Sequence, residues 1–191
     1  MTNRTIEETE QAVRAKLGTV PLLHAQMAAV GNIHRAAAAV RQHLENSVLR
    51  GAQLTWTSFV VLWVVWIWGE METRYVAEEA GISKGTLTGV ARTLESRGLV
   101  ERVGHPSDGR MVLLRLTPAG EELMAGLFPR FNQEEAFVAG ALSEEECEQL
   151  AGLLRRVVGT LEQDGEERRA ELSADAPPPP PRPGGRRRRE G

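Results

Sequence analysis

Between Thr73 and Gly98 the chain has room for two short helices and almost nothing between them, and no other stretch constrains the fold as strongly. Thr73 can cap a helix ending at Gly81, and Ser83 can cap a second ending at Gly98. A hydroxyl satisfies a free amide at a helix start, and glycine accepts the left-handed geometry at a helix end. Two helices joined this tightly cross steeply, which is helix-turn-helix spacing. Within the second, Leu87, Val90, Ala91 and Leu94 share one side, while Gly85, Thr88, Gly89, Arg92 and Ser96 fall on the other. One face suits a core; the other is small, polar and basic.

The flanking segments supply a frame for that pair. Residues 5–17 have helical composition and are stopped by Gly18 and Pro21. From Leu22 to Arg50 the positions Leu23, Met27, Val30, Ala37, Leu44 and Val48 recur at helical spacing, predicting a long amphipathic helix that Gly51 ends. Thr55 can cap a helix to Trp68 that is apolar on nearly every side, and Gly69 closes it. After Gly98, Leu99–Val103 and Met111–Leu116 read as two strands about the turn-rich stretch Gly104–Gly109, a hairpin. Thr117 with Pro118 marks a further helix start, and Pro129 is expected to kink or break that helix. Ser143 and Glu146 form a capping box for a last helix with Leu150, Leu153, Leu154, Val157 and Leu161 on one side, ending near Gly165. From Ser173 onward, five prolines, a Gly-Gly pair and four arginines offer too little apolar surface to fold, predicting a disordered tail.

At 191 residues and 41% apolar content the chain fits one substantial core. Its longest apolar run, Phe59–Trp68, is too short to span a bilayer, and no secretory signal opens the sequence, so a cytoplasmic protein with no membrane partner is expected. A single cysteine, Cys147, allows neither an internal disulfide nor a cysteine-based zinc site. The net charge of −3 argues against nucleic acid when read globally. Charge is unevenly placed, however. From Ile82 to Arg115 six bases (Lys84, Arg92, Arg97, Arg102, Arg110, Arg115) outnumber three acids (Glu95, Glu101, Asp108), a local balance of +3 that can meet phosphate.

Helix, helix, hairpin is the order that places one helix in a major groove and a loop beside it. Gly85 and Gly89 each cost a helix roughly 1 kcal/mol against alanine, and bare backbone that approaches DNA closely is a reason to keep both. Lys84, Thr86, Thr88 and Arg92 can contact phosphates or base edges, though singly each reads equally as solvated surface. In the hairpin, Asp108 can hold the turn across Gly109 while Arg110 extends from the tip toward a narrow minor groove.

These motifs together resemble the MarR family. The resemblance is carried by Ser83-Lys84-Gly85-Thr86-Leu87-Thr88, by Leu94-Glu95-Ser96-Arg97-Gly98-Leu99-Val100, and by Asp108-Gly109-Arg110 followed by Leu116-Thr117-Pro118-Ala119-Gly120. It covers roughly residues 22–163. It implies a mainly α fold with a small β-hairpin wing, a winged helix-turn-helix with long N- and C-terminal dimerisation helices. It also implies a homodimer that binds palindromic double-stranded promoter DNA, acting as a repressor released by a small-molecule effector. Ser83, Lys84, Gly85, Thr86, Thr88, Gly89 and Arg92 would then face the major groove, and Arg110, supported by Asp108, would be the wing arginine. Gly109 departs from the family, where a second arginine is frequent. The organisation expected is an N-terminal extension over 1–21, a dimerisation region over 22–53 and 117–165, a DNA-binding lobe over 54–116, and a tail over 166–191. A winged-helix module that binds protein in place of DNA is the alternative.

Other residues admit two readings. Trp56, Trp63, Trp66 and Trp68 crowd one helix and serve either as buried area for the core or, with His34, as the lining of a pocket for an aromatic or amphiphilic effector. His24, His34 and His43 are spaced too far apart on one helix to act together as metal ligands, so no metal is expected. Cys147 sits in a first helical turn, but Glu144, Glu145, Glu146 and Glu148 oppose a thiolate, which favours an inert thiol. No Gly-rich phosphate loop, HExxH or CxxC occurs, so neither an enzyme nor a cofactor is expected.

Overall fold

The computed structural model describes residues 5–104 and 111–174. Contacts divide the chain into two units, one up to Val138 and one from Ala139.

The first unit opens with α1 (Ile6–Leu17), whose capping box is complete: the Thr5 hydroxyl accepts from the Glu8 amide at 3.1 Å and the Glu8 carboxylate from the Thr5 amide at 2.8 Å. The long helix α2 (His24–Leu44) does not run on to Arg50 as one α-helix. It widens into a π-turn over Glu45–Leu49 and tightens into a 3-10 turn over Arg50–Ala52. The side chains of Asn46 and Ser47 there donate back to the carbonyls of Gln42 and His43, both at 2.8 Å, competing with the helical ladder where it changes register. The stop is Gln53, in the left-handed region at φ 53°, and not the glycine at 51.

Thr55 caps α3 (Trp56–Trp68), accepting from the Ser58 amide at 3.2 Å, and Gly69 ends it at φ 77°. A two-residue strand follows, β1 (Met71–Glu72), too short to leave a periodic pattern in the sequence. Glu72, with extended backbone, holds the cap position of α4 (Thr73–Glu79), so Thr73 is the first helical residue and not the cap expected of it. Ser83 caps α5 (Lys84–Ser96), and Gly98 ends it at φ 69°. Strands β2 (Val100–Gly104) and β3 (Val112–Leu116) pair antiparallel with Val100 opposite Leu116 and Gly104 opposite Val112. β1 adds to the other edge of β3, giving the order β1-β3-β2.

The core gathers α3 between its neighbours: Val61, Leu62 and Val65 of α3, Val76 of α4, Leu94 of α5, Leu114 of β3 and Met124 are each almost completely buried. Met124 belongs to α6 (Pro118–Val138). That helix is not broken at Pro129; both Pro129 and Ala125, whose carbonyl loses its amide partner, are exposed and open to water. Its start explains the Leu116–Gly120 motif. The Thr117 hydroxyl accepts from the Gly120 amide at 3.1 Å, and a Cβ on Gly120 would lie 2.1 Å from the Leu99 carbonyl oxygen, so the approach of α6 to the end of α5 requires glycine.

The second unit holds α7 (Glu144–Ala174). The Ser143–Glu146 capping box forms as expected, at 2.8 and 3.3 Å. The helix does not end near Gly165. Helix-forming residues continue past it, Arg168 pairs with Glu171 at 2.8 Å, and Ser173, expected in the tail, is helical. Residues 175–191 lie outside the described residues.

Candidate nucleic-acid interface

Two short helices and a strand pair present α5 to solvent along one side. Leu87, Ala91 and Leu94 are buried against the lobe, and Val90 is half-buried, as their spacing predicts. Ser83, Lys84, Gly85, Thr86, Thr88, Gly89 and Arg92 are all exposed. A Cβ on Gly85 would meet only the Ser83 hydroxyl, at 3.8 Å, and one on Gly89 would meet nothing within 4 Å. Internal packing therefore gives no reason for either glycine. The Ser83 hydroxyl accepts from the Thr86 amide at 3.1 Å and lies 2.8 Å from the Thr86 hydroxyl. Thr88 donates to the Lys84 carbonyl at 2.9 Å. These threonines are thus held in fixed orientations on the helix.

The structure sorts the bases that the sequence could only count. Arg97 donates to the carbonyls of Gln53 at 2.7 Å and Ala52 at 2.9 Å, tying the end of α5 to the left-handed stop after α2. Arg115 pairs with Glu101 at 2.8 Å and Glu70 at 3.5 Å, and the hydrogen bond it donates to the Glu101 carboxylate raises its pKa further above the ordinary arginine value. Neither cation is available to a distant phosphate without giving up these bonds. Lys84 and Arg92 form no salt bridge among the described residues. Asp108, Gly109 and Arg110 lie outside the described residues.

Two further cations flank α5 that helical periodicity does not bring to it. Arg102 of β2 donates to the Thr88 carbonyl at 3.3 Å and lies 3.8 Å from Glu95. Arg74 of α4 is held by Glu72 at 2.9 Å and by the Tyr75 hydroxyl at 2.7 Å, over the Tyr75 ring. With Lys84 and Thr88 they line a cleft of 430 Å³ beside the helix. Their signal in the sequence is weak, because one sits on a strand and the other before the helix pair's turn.

Gly81-Ile82-Ser83-Lys84-Gly85 also has the letters of the G-x-S-x-G nucleophile elbow. The elbow needs its serine between a strand and a helix, whereas Ser83 follows α4 and uses its hydroxyl to cap α5.

The tryptophans of α3 pack chiefly on α6. Trp63 stacks on Phe128 with ring centroids 4.7 Å apart, Trp66 meets the same ring at 5.6 Å, and Trp56 approaches Phe131 at 6.3 Å. All three are half-buried, whereas Trp68 is exposed. His34 is exposed on α2. His43 lies 2.6 Å from the Glu134 carboxylate and stacks on Phe137. Cys147 is half-buried in α7. No single described helix is long and apolar enough to cross a membrane, and no group of three metal-ligating side chains occurs among the described residues.

Known proteins share this geometry. Residues 54–112 match the family model described as the MarR family. The chain is 31% identical over 162 residues to the HTH-type transcriptional regulator YwaE of Bacillus subtilis, a similarity covering 83% of this chain and 95% of that one. Among solved structures it is similar to the PcaV transcriptional regulator of Streptomyces coelicolor in complex with its natural ligand (TM-score 0.60, 27% identity, 75% of this chain and 94% of that one). It is also similar to Bordetella bronchiseptica BpsR, whose DNA binding is regulated by 6-hydroxynicotinic acid (TM-score 0.58, 28% identity, 68% and 98%).

Proposed function

The chain belongs to the MarR family of helix-turn-helix transcriptional regulators, and from that premise we propose that it binds palindromic promoter DNA as a homodimer. The observation that carries this reading is α5: a helix whose apolar side is buried and whose exposed side offers Lys84, Arg92, fixed threonines and two glycines that packing does not require. Ser83, Lys84, Gly85, Thr86, Thr88, Gly89 and Arg92 face the major groove, where glycine lets backbone come close and the cations meet phosphate or guanine edges. Arg110, with Asp108 fixing its turn, reaches the adjacent minor groove. The two recognition helices sit about one helical turn, roughly 10 bp, apart.

The protein acts in the cytoplasm as a repressor that a small molecule releases. Regulation of BpsR by 6-hydroxynicotinic acid and the ligand complex of PcaV support that reading. The effector, an aromatic or amphiphilic molecule, lies against the half-buried Trp56, Trp63 and Trp66, together with His34. It acts by favouring one spacing of the recognition helices over another.

Fluorescence anisotropy on a duplex carrying an inverted repeat from the neighbouring promoter tests the reading. Binding should weaken steeply with salt, and Lys84→Ala or Arg92→Ala should each lower the slope of log K against log salt by about 0.9 for every phosphate left unneutralised. Arg110→Ala should cost about tenfold or more, most on A·T-rich flanks. Equal, salt-insensitive affinity for the repeat and for random duplex would leave the lobe as a protein-contact module.

A further inference from the structure

The stop that follows α2 and the end of α5 are built alike, and one side chain joins them. After the 3-10 turn the Gln53 amide donates to the Arg50 carbonyl and the Leu54 amide to the Leu49 carbonyl, both at 3.0 Å. At the end of α5 the Gly98 amide donates to the Glu95 carbonyl at 2.9 Å and the Leu99 amide to the Leu94 carbonyl at 3.0 Å. Each stop turns on a left-handed residue, Gln53 in the first and Gly98 in the second. Glycine adopts that backbone without strain. Glutamine does not, and it stays there only where its surroundings over-determine it.

Arg97 supplies those surroundings. Its Nη1 donates to the Gln53 carbonyl at 2.7 Å and its Nη2 to the Ala52 carbonyl at 2.9 Å, so the planar guanidinium grips two successive carbonyls as a fork. Arg97 is itself the C-cap residue of α5, and the carbonyls it holds close the segment that the π-turn leads out of α2. Elsewhere α5 packs on α3, α4 and β2, while α2 packs on α6 and its own π-turn. The fork is thus a direct tie between the end of α2 and the end of α5. Lys84 lies about 20 Å along α5 from Arg97, so a tilt of about 5° at the held end moves it by about 2 Å. That breaks a hydrogen bond to a base edge, but is small beside the ~10 Å over which a cation attracts phosphate.

We propose that Arg97 is a positioning residue for operator recognition: by clamping the carbonyls of Ala52 and Gln53 it makes the direction of α2 set the direction of α5. It does so without contacting DNA. The inference rests on the reading of α5 as the recognition helix of a DNA-binding dimer.

Anisotropy with the full chain, on the inverted-repeat duplex and on a random duplex of equal length, tests the assignment. Arg97→Gln should weaken binding to the repeat by about tenfold or more, since two hydrogen bonds from a charged group are lost. Affinity for random duplex should stay within about twofold, with the salt slope unchanged, because no phosphate contact is removed. Arg97→Lys keeps the charge and loses the fork, and should show the same selective loss in smaller measure. Retained random-duplex binding shows that each variant is folded. Adding Gln53→Gly to Arg97→Gln separates positioning from support of a strained stop, because glycine takes the left-handed backbone unaided. The double variant should remain as weak on the repeat as Arg97→Gln, since nothing then ties the stop to α5. Unchanged repeat affinity in Arg97→Gln, recovery in the double variant, or an equal loss on both duplexes would overturn the proposal. A parent chain with no preference for the repeat overturns the DNA reading and this inference together, whereas a parent with that preference and an Arg97→Gln variant that keeps it overturns this inference alone.

Discussion

Along α3, Phe59, Val61, Leu62, Val64 and Val65 are all buried, whereas along α7 Leu150, Leu153, Leu154, Val157, Val158 and Leu161 are all exposed, although both helices are rich in aliphatic side chains. The difference lies in how the apolar residues are distributed. In α3 they occupy every side, so the helix finds cover from α4, α5, α6 and β3 within its own unit. In α7 they form a stripe at spacings of three and four, with Glu and Arg elsewhere, and a stripe of that kind is satisfied by one facing helix. Single chains rarely leave six large aliphatic side chains in one row open to water, and an isologous contact between two copies would cover both rows at once. On this view α3 stabilises the monomer's lobe and α7 serves the dimer.

The largest expected effect breaks that comparison if it fails. Replacing Leu154 and Leu161 together by glutamate puts two carboxylates per chain into the proposed interface, at several kcal/mol for each buried without a partner. The dimerisation constant should weaken by about a thousandfold or more. Sedimentation at micromolar protein should then show monomer with the helicity of the first unit intact. A dimer of unchanged affinity would remove α7 from the interface. A core substitution provides the complement. Leu62→Ala should cost about 2–5 kcal/mol through reduced packing and a residual cavity, measured by denaturant unfolding, and the cost should be the same at low and high protein concentration when the dimer is already dissociated.

The sequence disclosed the parts of this contrast that depend on neighbouring residues. Thr55, Ser83 and Ser143 were legible as caps because a cap is settled within four residues, and Gly69 and Gly98 as stops because they adopt positive φ. Thr73 misled because Glu72, paired with Leu113 through a strand of two residues, takes the cap position, and that pairing spans some forty residues. Gly51 misled because the π-turn shifts the stop to Gln53, whose own carbonyl, with that of Ala52, accepts from Arg97 far along the chain. The exposed face of α5 was readable from helical periodicity. Which cations remain free on the lobe was not, since Arg97 and Arg115 are engaged by groups that only the folded chain brings near.

Between the core and the interface lie the helix starts, where smaller effects sharpen the comparison. Thr55→Ala removes the hydroxyl that caps α3 and should cost about 1 kcal/mol, visible as a lower thermal transition and independent of protein concentration. The Glu45 carboxylate, which accepts from the Trp56 amide at 2.7 Å, keeps another of the free donors satisfied, so the destabilisation should stay at this modest level. A Thr55→Ala variant as stable as the parent would mean that packing of α3 alone fixes its start.

The smallest expected effect belongs to the start of α7 and depends on pH. The Glu146 carboxylate accepts from the Ser143 backbone amide at 2.8 Å, and this hydrogen bond, with the Ser143 hydroxyl, holds its pKa below the ordinary glutamate value. In the interval between the lowered folded value and the ordinary unfolded value, about 4.3, the unfolded chain binds more protons than the folded one. Stability therefore rises with pH there: the contribution is complete above the unfolded value and is lost as pH falls through the folded one. Glu146→Gln retains an acceptor but cannot titrate, so the parent's excess helicity over the variant should shrink as pH drops below about 4. Because Glu146 is exposed, the change should be slight in a dilute monomer. If α7 forms only on pairing with a second copy, it should grow with protein concentration, since fraying of one helix start then weakens the association as well. Circular dichroism of both proteins from pH 6 to pH 3, at a low and a high concentration, separates these cases. Equal pH dependence in parent and variant would show that the capping box contributes nothing to α7, and a difference that does not vary with concentration would show that α7 holds its helical form without a partner.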